Sequence, residues 1–317
     1  MMSRKTTILM VLMLMIWFGC KQSGHTNNAS KKPVILTTTG MIKDAVVNLL
    51  GDNVEVTALM GSGVDPHLYQ ASPGDLASMN KADVVVYNGL FLEGKLDNIL
   101  KKLAAGKNVI NFSNGIDRTD LLAVTNAQYE GEIYDPHIWF DIDVWKQGIT
   151  ALGNDLSTYY PQFKDTIAQR QSEYLKQLDA LKIDLIEQIS IVPEEKRLMV
   201  TSHDAFHYFG RMLNIRVEAL QGISTATDFG LQDRKQLVDL IIKEDVNAIF
   251  IESSVGDKPI KAIIADCQKS GKMVSLGGTL YSDAMGADGT PEGTYIGMLQ
   301  HNVAVVTKGL SNGNEYQ

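Results

Sequence analysis

Cysteine, proline and basic clusters are all scarce in this chain. Only 2 Cys and 8 Pro occur in 317 residues. One of the cysteines, Cys20, closes the leading apolar run, so Cys267 has no partner in the folded part and an internal disulfide framework is excluded. Cys267 lies in the helical-looking stretch Pro259–Ser270 and reads as a small buried residue rather than a reactive one. The formal charge is −8 with a pI near 5.3, and basic runs do not exceed pairs such as Lys31-Lys32 and Lys101-Lys102. A phosphate backbone demands concentrated positive charge, so nucleic acid is excluded as a partner. Membrane-spanning runs are missing beyond the leader, as are repeats of 20 to 50 residues and low-complexity segments inside the folded part. What remains is an ordinary folded composition, 44% apolar and 21% charged. Its length suits about two domains.

The leader sets the compartment. Arg4 and Lys5 precede Ile8–Gly19, 12 residues rich in Met, Leu and Ile, and then come Cys20 and the polar stretch Lys21–Lys32. Twelve apolar residues cannot cross a hydrocarbon core that takes about 20 helical residues. The pattern is that of a secretory signal. Gly19 directly before Cys20 resembles a bacterial lipoprotein signal, in which the cysteine becomes the lipidated first residue; the alternative is an ordinary cleaved signal with an incidental Cys. The expectation is a signal peptide over 1–19, lipid on Cys20 and a flexible spacer over 20–32. Cleavage there removes Arg4 and Lys5 and takes the formal charge from −8 to −10.

From Pro33 onward short β-branched runs alternate with helical patterns, which predicts parallel sheets covered by helices. The expected strands are Val34–Thr38, Val54–Met60, Asp83–Tyr87 and Asn108–Phe112 in a first half. Arg197–Thr201, Arg216–Leu220, Val246–Glu252 and Met273–Leu276 are expected in a second. Between them Pro161–Ser190 runs 30 residues without another Pro or any Gly. Phe163, Ile167, Tyr174, Leu178, Leu181, Leu185 and Ile189 recur there at helical spacing. Such a helix extends about 45 Å, a stiff connector rather than a hinge. The predicted fold class is therefore α/β, two lobes (33–160 and 193–317), each a mostly parallel four-stranded sheet flanked by helices, joined by one long rigid helix over 161–192.

Six histidines carry the chemistry. The tripeptide Asp-Pro-His occurs twice, ending at His67 after the second strand and at His137 before the helix that carries Trp145. Proline fixes its own φ and biases the preceding Asp toward an extended conformation, so each His is presented from a stiff turn, as a metal ligand requires. An Asp-capped helix start with an incidental His is the alternative. His203 follows the strand ending at Thr201 and opens a helix, with His207 at i+4. Two readings compete: a zinc hydrolase holding metal through His203 and His207 with Asp204 as base, or a ligand at His203 alone, where parallel sheets bind at the carboxyl ends of their strands. Asp283, in a Gly-rich loop after another strand, is a fourth candidate, although an Asp there also serves as a cap or turn residue. His25 in the spacer and His301 in the last amphipathic helix, Glu292–Leu310, read as structural.

The segments Asp65-Pro-His-Leu-Tyr-Gln, Ala82-Asp-Val-Val-Val-Tyr-Asn-Gly, Asp135-Pro-His-Ile-Trp-Phe-Asp, Thr201-Ser-His-Asp-Ala-Phe, Gly222-Ile-Ser-Thr-Ala-Thr, Ile251-Glu-Ser-Ser and Tyr281-Ser-Asp-Ala-Met-Gly resemble, in order, the metal-binding lipoproteins of bacterial ABC importers for zinc and manganese, and their TroA-like branch most. The resemblance spans about Pro33 to Leu310. It implies two lobes on a rigid helix and one metal between them, held by His67 and His137 from the first lobe and His203 and Asp283 from the second. It implies a carrier rather than an enzyme, a monomer on a lipid tether at a bacterial membrane, extracytoplasmic, in a periplasm or on a cell surface. Its partners would be an ABC permease and its ATPase. Zn2+ is the expected cargo, one per chain, with Mn2+ the alternative, because an imidazole-rich set ranks zinc above manganese. Zinc-specific relatives often carry a His-rich acidic loop before the second ligand; here only Glu130 and Glu132 stand there. Asp65, Asp135 and Glu252 are candidates to brace the histidines from behind. An adhesin role, a label some family members have received, has no support of its own in these residues.

Overall fold

The computed structural model describes residues 31–124 and 133–311. The expected signal segment, Cys20, His25 and Glu130 with Glu132 lie outside the described residues. Residues from Pro33 on form one compact unit.

In the first half β1 (Val34–Thr37), β2 (Glu55–Ala58), β3 (Val84–Tyr87) and β4 (Asn108–Asn111) make a parallel sheet in the order β2-β1-β3-β4. The central strands, Val-Ile-Leu-Thr and Val-Val-Val-Tyr, are buried along most of their length, as strands covered on both faces must be. The edge strand β2 alternates exposed and half-buried residues instead. α1 (Gly40–Leu50), α2 (Pro73–Lys81) and α3 (Asp97–Ala104) cross between the strands. The start of α2 is fixed by a capping box in which Ser72 Oγ accepts from the Asp75 amide and Asp75 accepts from the Ser72 amide. Two short antiparallel strands, β5 (Ala123–Val124) and β6 (Ile133–Tyr134), were not foreseen from the sequence.

In the second half β7 (Leu198–His203) pairs in parallel with β8 (Arg216–Gln221), and β9 (Ala248–Glu252) with β10 (Ser275–Leu280); the inner strands β7 and β9 lie against each other. β10 starts and ends later than expected, with a register shift between Leu276 and Gly278. Gly277 explains part of the shift: a Cβ there would stand 2.5 Å from the Phe250 ring, so only glycine lets the strand pass that close.

Between the halves run α4 (Ile142–Tyr159) and the long helix α5 (Lys164–Ser190), the latter preceded by a 3-10 turn at Pro161–Phe163. At 1.5 Å per residue α5 is about 40 Å long. Ile167, Tyr174, Leu178, Leu181, Leu185 and Ile189 form its buried stripe as the spacing predicts, whereas Phe163 stays outside the helix and is only partly covered. α5 packs against α1 and α4 on one side of the chain order. On the other it packs against α6 (His207–Leu213) and α9 (Tyr295–Ser311). One apolar cluster therefore runs from Ile35 through Trp145 and Leu185 to Tyr295 and Val306. Trp145 stacks on Tyr295 at 5.3 Å and Phe140 packs on Phe206 at 4.7 Å, so aromatic contacts bind the halves. α7 (Leu231–Lys243) and α8 (Lys258–Lys269) cover the two strand pairs of the second half, and Cys267 is buried on α8. Among the described residues no helix is long and apolar enough to cross a membrane.

Candidate metal centre

Both Asp-Pro-His segments fold as tight turns in which the aspartate accepts from the histidine amide two residues on. Asp65 Oδ1 takes the His67 amide at 2.8 Å, and Asp135 Oδ1 takes the His137 amide at 2.9 Å. The turns then diverge. Asp135 Oδ1 also meets His137 Nδ1 at 2.6 Å, which directs Nε2 inward. Asp65 does not reach its ring; its other oxygen accepts the Thr225 hydroxyl at 2.6 Å. The second turn is held further by Asn88 Nδ2 donating to Pro136 O at 3.0 Å. Trp139 Nε1 donates to Ser282 O at 3.1 Å, which joins it to the Asp283 loop.

His203 is the last residue of β7 and not the opening of a helix, because its pairing with Gln221 continues the ladder with β8; the helix begins at His207. Glu252 closes β9 and braces His203 from behind, accepting the His203 amide at 2.8 Å and facing Nδ1 at 2.5 Å. Asp283 follows β10 in a loop pinned by the buried Asn302, whose side chain accepts from the Tyr281 amide at 2.9 Å and donates to its carbonyl at 2.7 Å. The sequence reading missed Asn302. Its signal was an amide on the apolar stripe of α9, between Met298, Leu299 and Val303.

These placements bring four side chains together. One donor atom from each of His67, His137, His203 and Asp283 lies within 4.8 Å of all the others, and all four residues are buried. His67 Nε2 is 3.4 Å from His137 Nε2, His137 Nε2 is 3.3 Å from Asp283 Oδ1, and His203 Nε2 is 3.3 Å from Asp283 Oδ2. Donors about 2.0 to 2.1 Å from a tetrahedral zinc stand about 3.3 Å apart. Both Asp283 oxygens and His203 Nε2 are buried without a hydrogen bond despite that proximity. These atoms face a common point rather than pairing with one another, the geometry of a cation site.

The electrostatics agree. Burial by itself would raise the Asp283 carboxyl, yet His203, His137 and His67 around it hold it well below the usual carboxylate range. Burial drives His67 down to about 3. It also opposes charge on His137 and His203, but Asp135 lifts His137 to about 9, and Glu252 with Asp283 lifts His203 well above the usual imidazole value. A divalent cation held here would meet one neutral imidazole and one carboxylate, and would displace protons from the other two rings.

His207 stands outside this set. Its side chain is 42% exposed, with Nε2 3.1 Å from Asp204 Oδ1 and Nδ1 3.7 Å from Asp135 Oδ2. Since His203 is on a strand and His207 starts the helix, the two do not form the i, i+4 helical pair that the hydrolase reading needs. His301 Nε2 lies against Thr279 O at 3.0 Å, away from the centre.

A family profile described as zinc-uptake complex component A, periplasmic (ZnuA), matches residues 35–309. The manganese-binding lipoprotein MntA of Bacillus subtilis (strain 168) is 41% identical over 292 residues, covering 92% of this chain and 94% of MntA. The zinc-binding protein TroA of Treponema pallidum (strain Nichols) is 39% identical over 294 residues, covering 93% of this chain and 92% of TroA. The metal ABC transporter substrate-binding lipoprotein SsaB of Streptococcus sanguinis is 27% identical over 312 residues, covering 96% and 97%. The solved structure of the periplasmic zinc-binding TroA has a TM-score of 0.85 to this chain at 40% identity, covering 88% of this chain and 99% of that one.

Proposed function

Since the chain belongs to the ZnuA family of metal-binding, cluster A-I solute-binding proteins, we propose that it carries one Zn2+ ion, held by His67, His137, His203 and Asp283, to an ABC permease and its ATPase. The chain is the substrate-binding component of a metal ABC transporter, with the two-lobe α/β fold of TroA. The observation that carries the ligand assignment is the cluster of four buried donors within 4.8 Å of one another, three pairs of them at 3.3 to 3.4 Å. The relatives divide between manganese and zinc by name, so the choice of metal rests on donor chemistry. Three imidazoles and one carboxylate rank zinc above manganese, which prefers oxygen-rich sites. Such a set leaves no open position for a reacting water in a four-coordinate zinc site, which suits transport rather than hydrolysis.

The lobes are assigned to 33–160 and 193–317, with the connecting helix in 161–192. Cys20 carries the lipid that tethers the monomer outside the cytoplasm; relatives that are lipoproteins support this reading. The test is elemental mass spectrometry on a chelator-stripped chain lacking residues 1–20, offered Zn2+ and Mn2+ in competition. One equivalent of zinc is the expected outcome. One equivalent of manganese would keep the carrier and overturn the metal, and no bound metal would sink the site.

A further inference from the structure

Asp135 is buried, and its two oxygens have different fates. Oδ1 is taken by the His137 amide and ring, while Oδ2 has no hydrogen-bond partner and faces His207 Nδ1 at 3.7 Å. The other nitrogen of the same ring is 3.1 Å from Asp204 Oδ1, on the residue that follows His203. One imidazole thus lies between Asp135 of the first half, which backs His137, and Asp204 of the second, the residue after His203. The helix that bears it is stitched to the first half: Tyr208 OH accepts the Leu122 amide at 3.0 Å. Arg211 reaches Asp141 at 2.8 Å and the Asp120 carbonyl at 2.8 Å. The other Asp-Pro-His turn is bridged to the second half in the same sense, by Asp65 Oδ2 and the Thr225 hydroxyl.

We propose that His207 is a positioning residue, a latch across the rim of the metal centre that joins the His137 turn to the His203 strand end and slows the departure of the metal. The inference rests on the carrier reading above. His207 does not ligate; it limits how far the two halves of the ligand set part, and its ring faces the free oxygen of Asp135, which orients His137. Groups that brace metal ligands are worth about 10 to 100-fold when removed, and a contact one step further out falls at the low end.

The experiment uses the detergent-solubilised full chain. Loaded with Zn2+ and mixed with excess chromophoric chelator, His207→Ala should release metal about tenfold faster than the wild type while still binding one equivalent. His207→Gln, which keeps a donor for the carboxylates, should recover most of the difference. With Co2+ as probe, the visible d–d bands should shift in His207→Ala, reporting a reoriented His137. Thermal melting of the metal-free variants checks that they fold. Release from His207→Ala within twofold of wild type, with unchanged Co2+ bands, overturns the latch alone. Failure of the wild type to take up Zn2+ and Co2+ would sink the carrier reading instead.

Discussion

The two Asp-Pro-His turns have the same three residues and the same amide contact, yet they do different work. In the second turn Asp135 reaches the ring, holds its Nδ1 and lifts His137 to about 9. In the first, Asp65 is spent on Thr225, and burial leaves His67 neutral down to about 3. A ligand whose ring is braced by a buried carboxylate is basic and oriented; one without that brace is ready to accept a metal without losing a proton. A repeated motif fixes the turn, and the neighbours that fold against it fix the chemistry.

Four measurements sharpen this comparison. Asp283 faces both turns, His137 at 3.3 Å and His67 at 3.9 Å, so Asp283→Ala should injure both. Leaving buried charge unopposed costs about 3 to 5 kcal/mol, or about 10^2 to 10^4 in zinc affinity by chelator competition; a change under tenfold would remove Asp283 from the ligand set.

Acid should separate the turns next. His137 and His203 bind protons that a metal must displace, so affinity falls as pH drops below about 9, by about tenfold per pH unit for each proton displaced. His137 alone predicts about 10^2 between pH 8 and pH 6. His67 adds nothing until far lower pH. A flat affinity over that range would refute these assignments. The same shifts act oppositely on the stability of the metal-free fold. A His raised to about 9 stabilises fully below its unfolded value of about 6.5, and this is lost as pH climbs through about 9. A His lowered to about 3 costs stability as pH falls below about 6.5. Urea unfolding of the stripped chain at several pH values, with His67→Phe beside His137→Phe, reads the two limbs.

Third, Asp135→Asn should weaken zinc by about 10 to 100-fold, whereas Asp65→Asn should stay within about fivefold because its side chain does not touch the ring. Equal losses in calorimetric titrations would erase the distinction between the turns. The smallest effect belongs to Thr225→Val. It removes one hydrogen bond to Asp65, worth about 1 kcal/mol, and should shift zinc affinity by no more than about fivefold with the His137 side untouched.

Much of the fold was legible because its signals are local. The buried stripe of α5 from Ile167 to Ile189 follows from spacing alone, and the central strands read as continuous β-branched runs. Strand ends were harder: β7 runs on to His203 because Gln221 pairs with it, and β10 runs from Ser275 to Leu280 through a register shift at Gly277, where the Phe250 ring passes. His67, His137 and His203 stood out as histidines at strand ends or stiff turns. Asp283 gained weight only through resemblance, since a lone Asp in a glycine-rich loop fits a turn equally well. Asp135 and Glu252 were nameable as braces, but that Asp65 is not one depended on Thr225, 160 residues away.

What the sequence by itself determined is the set of short-range devices: the helical stripe, the strand runs, the two proline-stiffened turns and the histidines that stand at them or at a strand end. Each depends on neighbours a few residues apart, where covalent geometry and side-chain period dictate the outcome. What only the tertiary structure decided is which carboxylate backs which ring, that His207 spans two of them, and that four donors meet at one buried point. Those depend on contacts between segments far apart in the chain. Burial and opposing charge then act only once the fold has closed around them, and together they set each group's protonation.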